Sequence, residues 1–129
     1  MPLSVRVDLA KNRVFIDASG TLVLEDALRL LDDLSMAGPE ICGRGGIIDS
    51  SRVTGTTLSF DSIRQISEHV THIEELFRGT RWAIVAPGDV MFGIARMYET
   101  LRSGSSFEIR TFRTSLDAQT WLQRNGSAD

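Results

Sequence analysis

Residues Thr80–Ser103 read TRWAIVAPGDVMFGIARMYETLRS, and this stretch decides the fold. Trp82, Ala83, Ile84, Val85 and Ala86 form a short apolar run ended by Pro87-Gly88, the pattern of a buried strand. Asp89 follows with the chemistry of an N-cap, since a carboxylate accepts from the free N–H groups of a first helical turn. Behind it Val90, Ile94, Met97 and Leu101 recur at helical spacing, with Met91, Ala95 and Tyr98 beside them. Arg96, Glu99 and Arg102 take the other side. The stretch is strand, loop and helix, one turn of a β/α structure.

Working outward, the same unit recurs. Upstream, Ile63, Ile66, Val70, Ile73 and Phe77 repeat at three- and four-residue steps, a second amphipathic helix that Ser59 or Thr57 can cap and Gly79 ends. Before it, Gly45–Ser51 reads as a strand centred on Ile47 and Ile48, and Arg52–Leu58 as a loop rich in Thr and Gly. Downstream, Phe107–Phe112 is a strand with Phe107, Ile109 and Thr111 on one face. Thr114 and Asp117 have the spacing of a capping box, ahead of a helix carrying Leu116, Ala118, Trp121 and Leu122.

The amino-terminal part differs. In Ser4–Leu9, Val5, Val7 and Leu9 alternate with Ser4, Arg6 and Asp8. Arg13–Ser19 sets Val14, Ile16 and Ala18 against Phe15 and Asp17, and the short Ala10-Lys11-Asn12 connection makes the pair an antiparallel hairpin. Leu24, Ala27, Leu28, Leu31 and Leu34 then form a helical stripe that Gly38-Pro39 stops. The order β-β-α-β-α-β-α-β-α predicts one α/β domain over residues 1–129: a five-stranded mixed sheet with parallel, right-handed crossovers after the hairpin. Charged residues on one face of the outer strands place the helices mainly on the other face.

Composition narrows the function. A chain of 129 residues with ordinary apolar content can bury its own core. A net charge of -3 argues against a nucleic-acid surface. The lone Cys42 excludes an internal disulfide. Neither a secretion signal nor a membrane-spanning run is visible, so a cytoplasmic location is expected.

The phrase RWAIVAPGDVMFGIARMYETL and the ending FEIRTFRTSLDAQTWL, on a βα superhelix, resemble the SpoIIAA-like branch of the STAS superfamily. The superfamily includes anti-anti-sigma factors and cytoplasmic domains of sulfate transporters. The resemblance implies a small cytoplasmic module with no cofactor. Anti-anti-sigma factors bind a partner kinase and are switched off by serine phosphorylation in a D-S-S-G-L-like motif, at the start of the helix after the third strand. Here Leu58-Ser59-Phe60-Asp61-Ser62-Ile63 occupies that place without the glycine, while Asp49-Ser50-Ser51 comes earlier, followed by Arg52. On this pattern Ser59 is the candidate phosphorylation site, and the competing role is a plain N-cap.

Other constellations carry less. His69 and His72 lie three apart beside Glu68 and Glu75, but no second cluster of ligands exists to complete a metal site. Asp49 sits at a strand end like a receiver phospho-acceptor, without the acidic pair and lysine that such sites need. Gly43-Arg44-Gly45-Gly46 precedes a strand, whereas a phosphate cradle follows one, so a flexible connector is expected. No nucleophile or acid–base set is evident, and no enzyme, metal or cofactor is expected.

Three βα loops should meet at one sheet edge: the one before Leu24, Arg52–Ser59, and Pro87–Asp89. Phe60, Phe92, Leu58, Met91 and Asp89 are the candidate binding surface there, with the two phenylalanines as anchors or as staples of their own helix starts. The function expected is a non-enzymatic regulatory or protein-interaction module. The alternative is a carrier that holds a lipid or other apolar small molecule between helices and sheet. A homodimer through the helix-free face, with Phe15 exposed on it, is also expected.

Overall fold

The computed structural model describes residues 3–127. Five strands, β1 (Leu3–Asp8), β2 (Arg13–Leu22), β3 (Gly45–Thr56), β4 (Arg81–Val85) and β5 (Glu108–Phe112), lie in the order β1-β2-β3-β4-β5. The first pair is antiparallel and the rest are parallel, as expected for a hairpin followed by βα units. The hairpin turns at Asn12, whose φ of 54° is a conformation that asparagine tolerates. The helices are α1 (Leu24–Met36), a single turn α2 (Gly38–Ile41), α3 (Phe60–Thr71), α4 (Asp89–Leu101) and α5 (Ser115–Ser127). Gly38-Pro39 thus ends α1 but opens a further helical turn. The Ile63–Phe77 stripe is broken at His72, and a 3-10 turn, Glu74–Phe77, carries its end.

Strand alternation assigns the two faces. Val14, Ile16, Trp82 and Phe107 pack under α1, α3 and the 3-10 turn, with Leu31, Leu34, Val70 and Phe77. Ala95 of α4 lies against Ile84 and Ala86, because its small side chain lets the helix approach the sheet. Ile47, Ala83 and Val85 point the opposite way, against Ala118 and Trp121 of α5. Most helices therefore share one face, and α5 crosses to the other. The expected helix-free face is not free: α5 covers its β4–β5 half, and Phe15 is half-buried with the Arg6 guanidinium 4.4 Å from its ring centre.

Three further expectations change. β3 does not stop at Ser51. Its ladder with β2 continues past two register shifts, pairing Ser19 with Arg52 after the first and Leu22 with Thr56 after the second. Thr- and Gly-rich sequence reads as loop, but a backbone ladder asks nothing of side chains. Gly45 and Gly46 are not a flexible connector; they open β3 between two neighbours. A Cβ on Gly46 would stand 2.1 Å from the Val14 carbonyl oxygen, so a side chain there requires the backbone to move. α4 is rotated from its expected stripe. Val90 is 68% exposed, while Met91, Ile94, Ala95 and Tyr98 face inward and Arg102 is buried at 7% exposure. On α5, Leu116 points to solvent.

Candidate functional site

The three βα connections do gather at the carboxyl edge of the parallel strands, though two are shorter than expected. Only Val23 separates β2 from α1, and only residues 57–59 separate β3 from α3. The Leu22 carbonyl ties them together, accepting from the Thr57 N–H at 3.2 Å and the Thr56 hydroxyl at 2.8 Å.

The candidate residues separate into three groups at this edge. Ser59 and Phe60 form the first. The Ser59 hydroxyl accepts from the Ser62 N–H, and the Ser62 hydroxyl accepts from the Ser59 N–H, each at 3.2 Å. This reciprocal pair satisfies two donors at the start of α3. Phe60 follows at 57% exposure, so it is not a buried staple.

Asp89 and Phe92 form the second group. Asp89 is the first residue of α4 and does not cap it; Gly88 holds the cap position. The Asp89 carboxylate instead accepts from Arg113 at 2.8 Å, and Arg113 also donates to the Pro87 carbonyl at 3.1 Å. The Arg113 guanidinium lies 3.9 Å from the centre of the Phe92 ring. Phe92 is half-buried against Ile84, Ala86 and Ala95, covered rather than presented. Arg113 was not among the expected residues. It follows β5, a fourth strand ending at the same edge, and that position is the signal for it.

Leu58 and Met91 form the third group, and both line a pocket. Its volume is about 150 Å³. Ala18, Leu22, Ile48 and Ile84 of the sheet form its floor. Ala27 and Leu31 of α1, Ile63, Ile66 and Val70 of α3, and Ile94, Ala95 and Tyr98 of α4 form its walls. The Ser50 hydroxyl reaches this lining but is spent on the Val85 carbonyl at 2.7 Å. Burial pushes the Tyr98 phenol well above its ordinary pKa, so it stays neutral. Protein interiors hold few voids larger than one water.

The opposite end of the same helical layer is closed by charge. Arg102, 7% exposed, donates to the Ser67 carbonyl and the Thr71 hydroxyl, each at 2.9 Å, and forms an ion pair with Glu74. Glu74 in turn accepts from the Ser106 N–H at 2.9 Å. The Ser106 hydroxyl and N–H, with the Arg102 guanidinium, hold the Glu74 carboxyl down at about 2. The N–H makes the well-formed bond, whereas the Ser106 hydroxyl lies outside good hydrogen-bond geometry, so the N–H carries more of the effect.

The remaining candidates are structural. His69 contacts Asp32 of α1 at 3.0 Å, and His72 is exposed. Among the described residues no group of three or more His, Cys, Asp or Glu side chains is placed to hold a metal ion. Asp49 accepts from the Ser51 N–H at 2.9 Å, and Ser50 beside it is buried. Cys42 is exposed. Among the described residues no helix is long and apolar enough to cross a membrane.

With sheet order, crossovers and edge in place, the chain has a SpoIIAA-like fold. Solved structures that share it include the following two. An uncharacterised DUF3478-family protein from Shewanella loihica, described as having a SpoIIAA-like fold, superposes with a TM-score of 0.61 at 20% identity, over 93% of this chain and 91% of that one. The anti-sigma factor antagonist SpoIIAA in its unphosphorylated form superposes with a TM-score of 0.51 at 12% identity, over 94% and 97%. No family model matches the sequence, and no curated protein matches it.

Proposed function

We propose that this protein is a cytoplasmic, non-enzymatic regulatory module that docks a protein partner at the carboxyl edge around Phe60. One observation carries the proposal: a large aromatic side chain, 57% exposed, stands on a helix start fixed by reciprocal capping. Aromatic side chains, Phe among them, are enriched at the cores of protein interfaces. The fold shared with an anti-sigma factor antagonist supports the same class of role. Phosphorylation of Ser59 would add charge beside that anchor at a helix amino terminus, where an anion is favoured.

The test is affinity capture with tagged wild type and Phe60→Ala, the recovered proteins identified by mass spectrometry. A partner enriched on wild type and lost from the variant supports the module. Equal recovery by both removes Phe60 from it. A homodimer has less apolar surface to use than expected, since Arg6 covers Phe15 and α5 covers its neighbours. Sedimentation of the purified protein decides that point.

A second reading is favoured by the pocket at Leu58 and Met91. An apolar space between sheet and helices suits a carrier or sensor of an apolar small molecule.

A further inference from the structure

We infer that the pocket between the sheet and α1, α3 and α4 is a binding site for an uncharged apolar molecule about the size of a single aromatic ring. The inference rests on the apolar-ligand reading above and names the ligand class.

Size is the first argument. The pocket measures about 150 Å³. Sites for drug-sized ligands begin at about 300 Å³, whereas an apolar cavity of roughly 150 Å³ takes benzene or xenon, so a single ring fills the space. Chemistry is the second. The walls are Leu, Ile, Val, Ala and Met side chains with the Tyr98 ring, and the Ser50 hydroxyl is already bonded to the Val85 carbonyl. Nothing there compensates a charge, and a water needs two to four polar partners that this lining does not offer. Access is the third. Leu58 and Met91 are half-buried at the carboxyl edge, on separate chain segments, where the pocket nears solvent.

A smaller space of about 70 Å³ continues inward, sharing Leu30, Leu31, Ile48, Val70 and Tyr98 with the first. Trp82 lines it, and its indole N–H is buried without an acceptor.

The experiment titrates isotope-labelled protein with benzene up to saturation, followed by methyl and indole resonances. Methyl signals of Ile66, Ile94 and Met91 should shift, and the thermal midpoint should rise. Trp121, on the opposite face, serves as the unshifted indole control. Ala27→Leu and Ala95→Leu each fill the pocket and should weaken benzene at least tenfold. Ala27 is only half-buried, so its variant carries the test if Ala95→Leu does not fold. No shift in the wild type at saturation overturns the inference, as does binding undiminished in a folded filled variant. Palmitate is titrated in parallel. Palmitate binding without a benzene response overturns the size class and leaves the carrier reading standing, whereas silence from both removes the two together.

Discussion

The two ends of the helical layer are built on opposite principles. Where α3 and α4 end, Arg102 bridges Ser67, Thr71 and Glu74, and Glu74 reaches Ser106 before β5. Where the same helices begin, no such cross-link joins them over the pocket among the described residues, and Leu58 and Met91 both line it with apolar surface. A directional, buried network fixes one geometry, whereas apolar contact tolerates displacement at little cost. The contrast predicts that the charged end of the layer resists displacement more than the apolar end does.

The sharpest way to break this contrast is Arg102→Met. It leaves a Glu74 carboxylate with only about a quarter of its side chain exposed and removes its charged partner. We expect a loss of about 3–5 kcal/mol in urea unfolding. A loss below about 1 kcal/mol, the size of a surface pair, would mean that this end is no anchor.

Acid probes the same anchor more gently. Glu74 has a folded pKa of about 2 against an ordinary 4.5. A depressed carboxylate stabilises the fold above its unfolded value and loses that contribution as pH falls toward the folded one. Stability should therefore drop between about pH 4.5 and 2, and Glu74→Gln should flatten that part of the profile. Parallel profiles for the two proteins would place the acid sensitivity elsewhere.

At the yielding end the effects should be smaller. Ser59→Ala removes one half of the reciprocal cap and should cost about 1 kcal/mol, while Ser59→Asp should retain most of it. Chemical denaturation of both variants measures the difference; equal losses would show that the hydroxyl, and not an acceptor in general, is needed. Phe60→Ala should change stability by less than about 0.5 kcal/mol, the usual range for an exposed position. A larger loss would make Phe60 part of the fold and not a free anchor.

Much of the architecture was legible because burial imposes a period. Val14, Ile16 and Ala18 alternate, and Ile63, Ile66 and Val70 follow helical steps, since each has one face to hide. What escaped lacks that imprint. Arg102 looks like a surface residue because an isolated sequence does not reveal Ser67, Thr71 and Glu74 waiting for it. The rotation of α4 follows from the same fact: turning Arg102 inward carries Val90 outward. The extension of β3 over residues 52–56 is held by main-chain pairing, which Thr and Gly neither advertise nor forbid. Of the candidate site, the edge and its loops were legible. Its division was not, because Arg113, which pins Asp89 and Phe92, arrives from β5. The pocket itself is a property of spacing between elements, and no single residue encodes it.

The continuation of β2 and β3 beyond the rest of the sheet has a mechanical consequence. Past Asp49, β3 no longer pairs with β4 and leans on β2 alone. α1 departs from this two-stranded ribbon after Leu22 and α3 after residue 59, while α4 departs from β4. Two walls of the pocket thus hang from one cantilever and the third from the fixed sheet. A bend of that ribbon would carry α1 and α3 together relative to α4, because both connections leave from its far end.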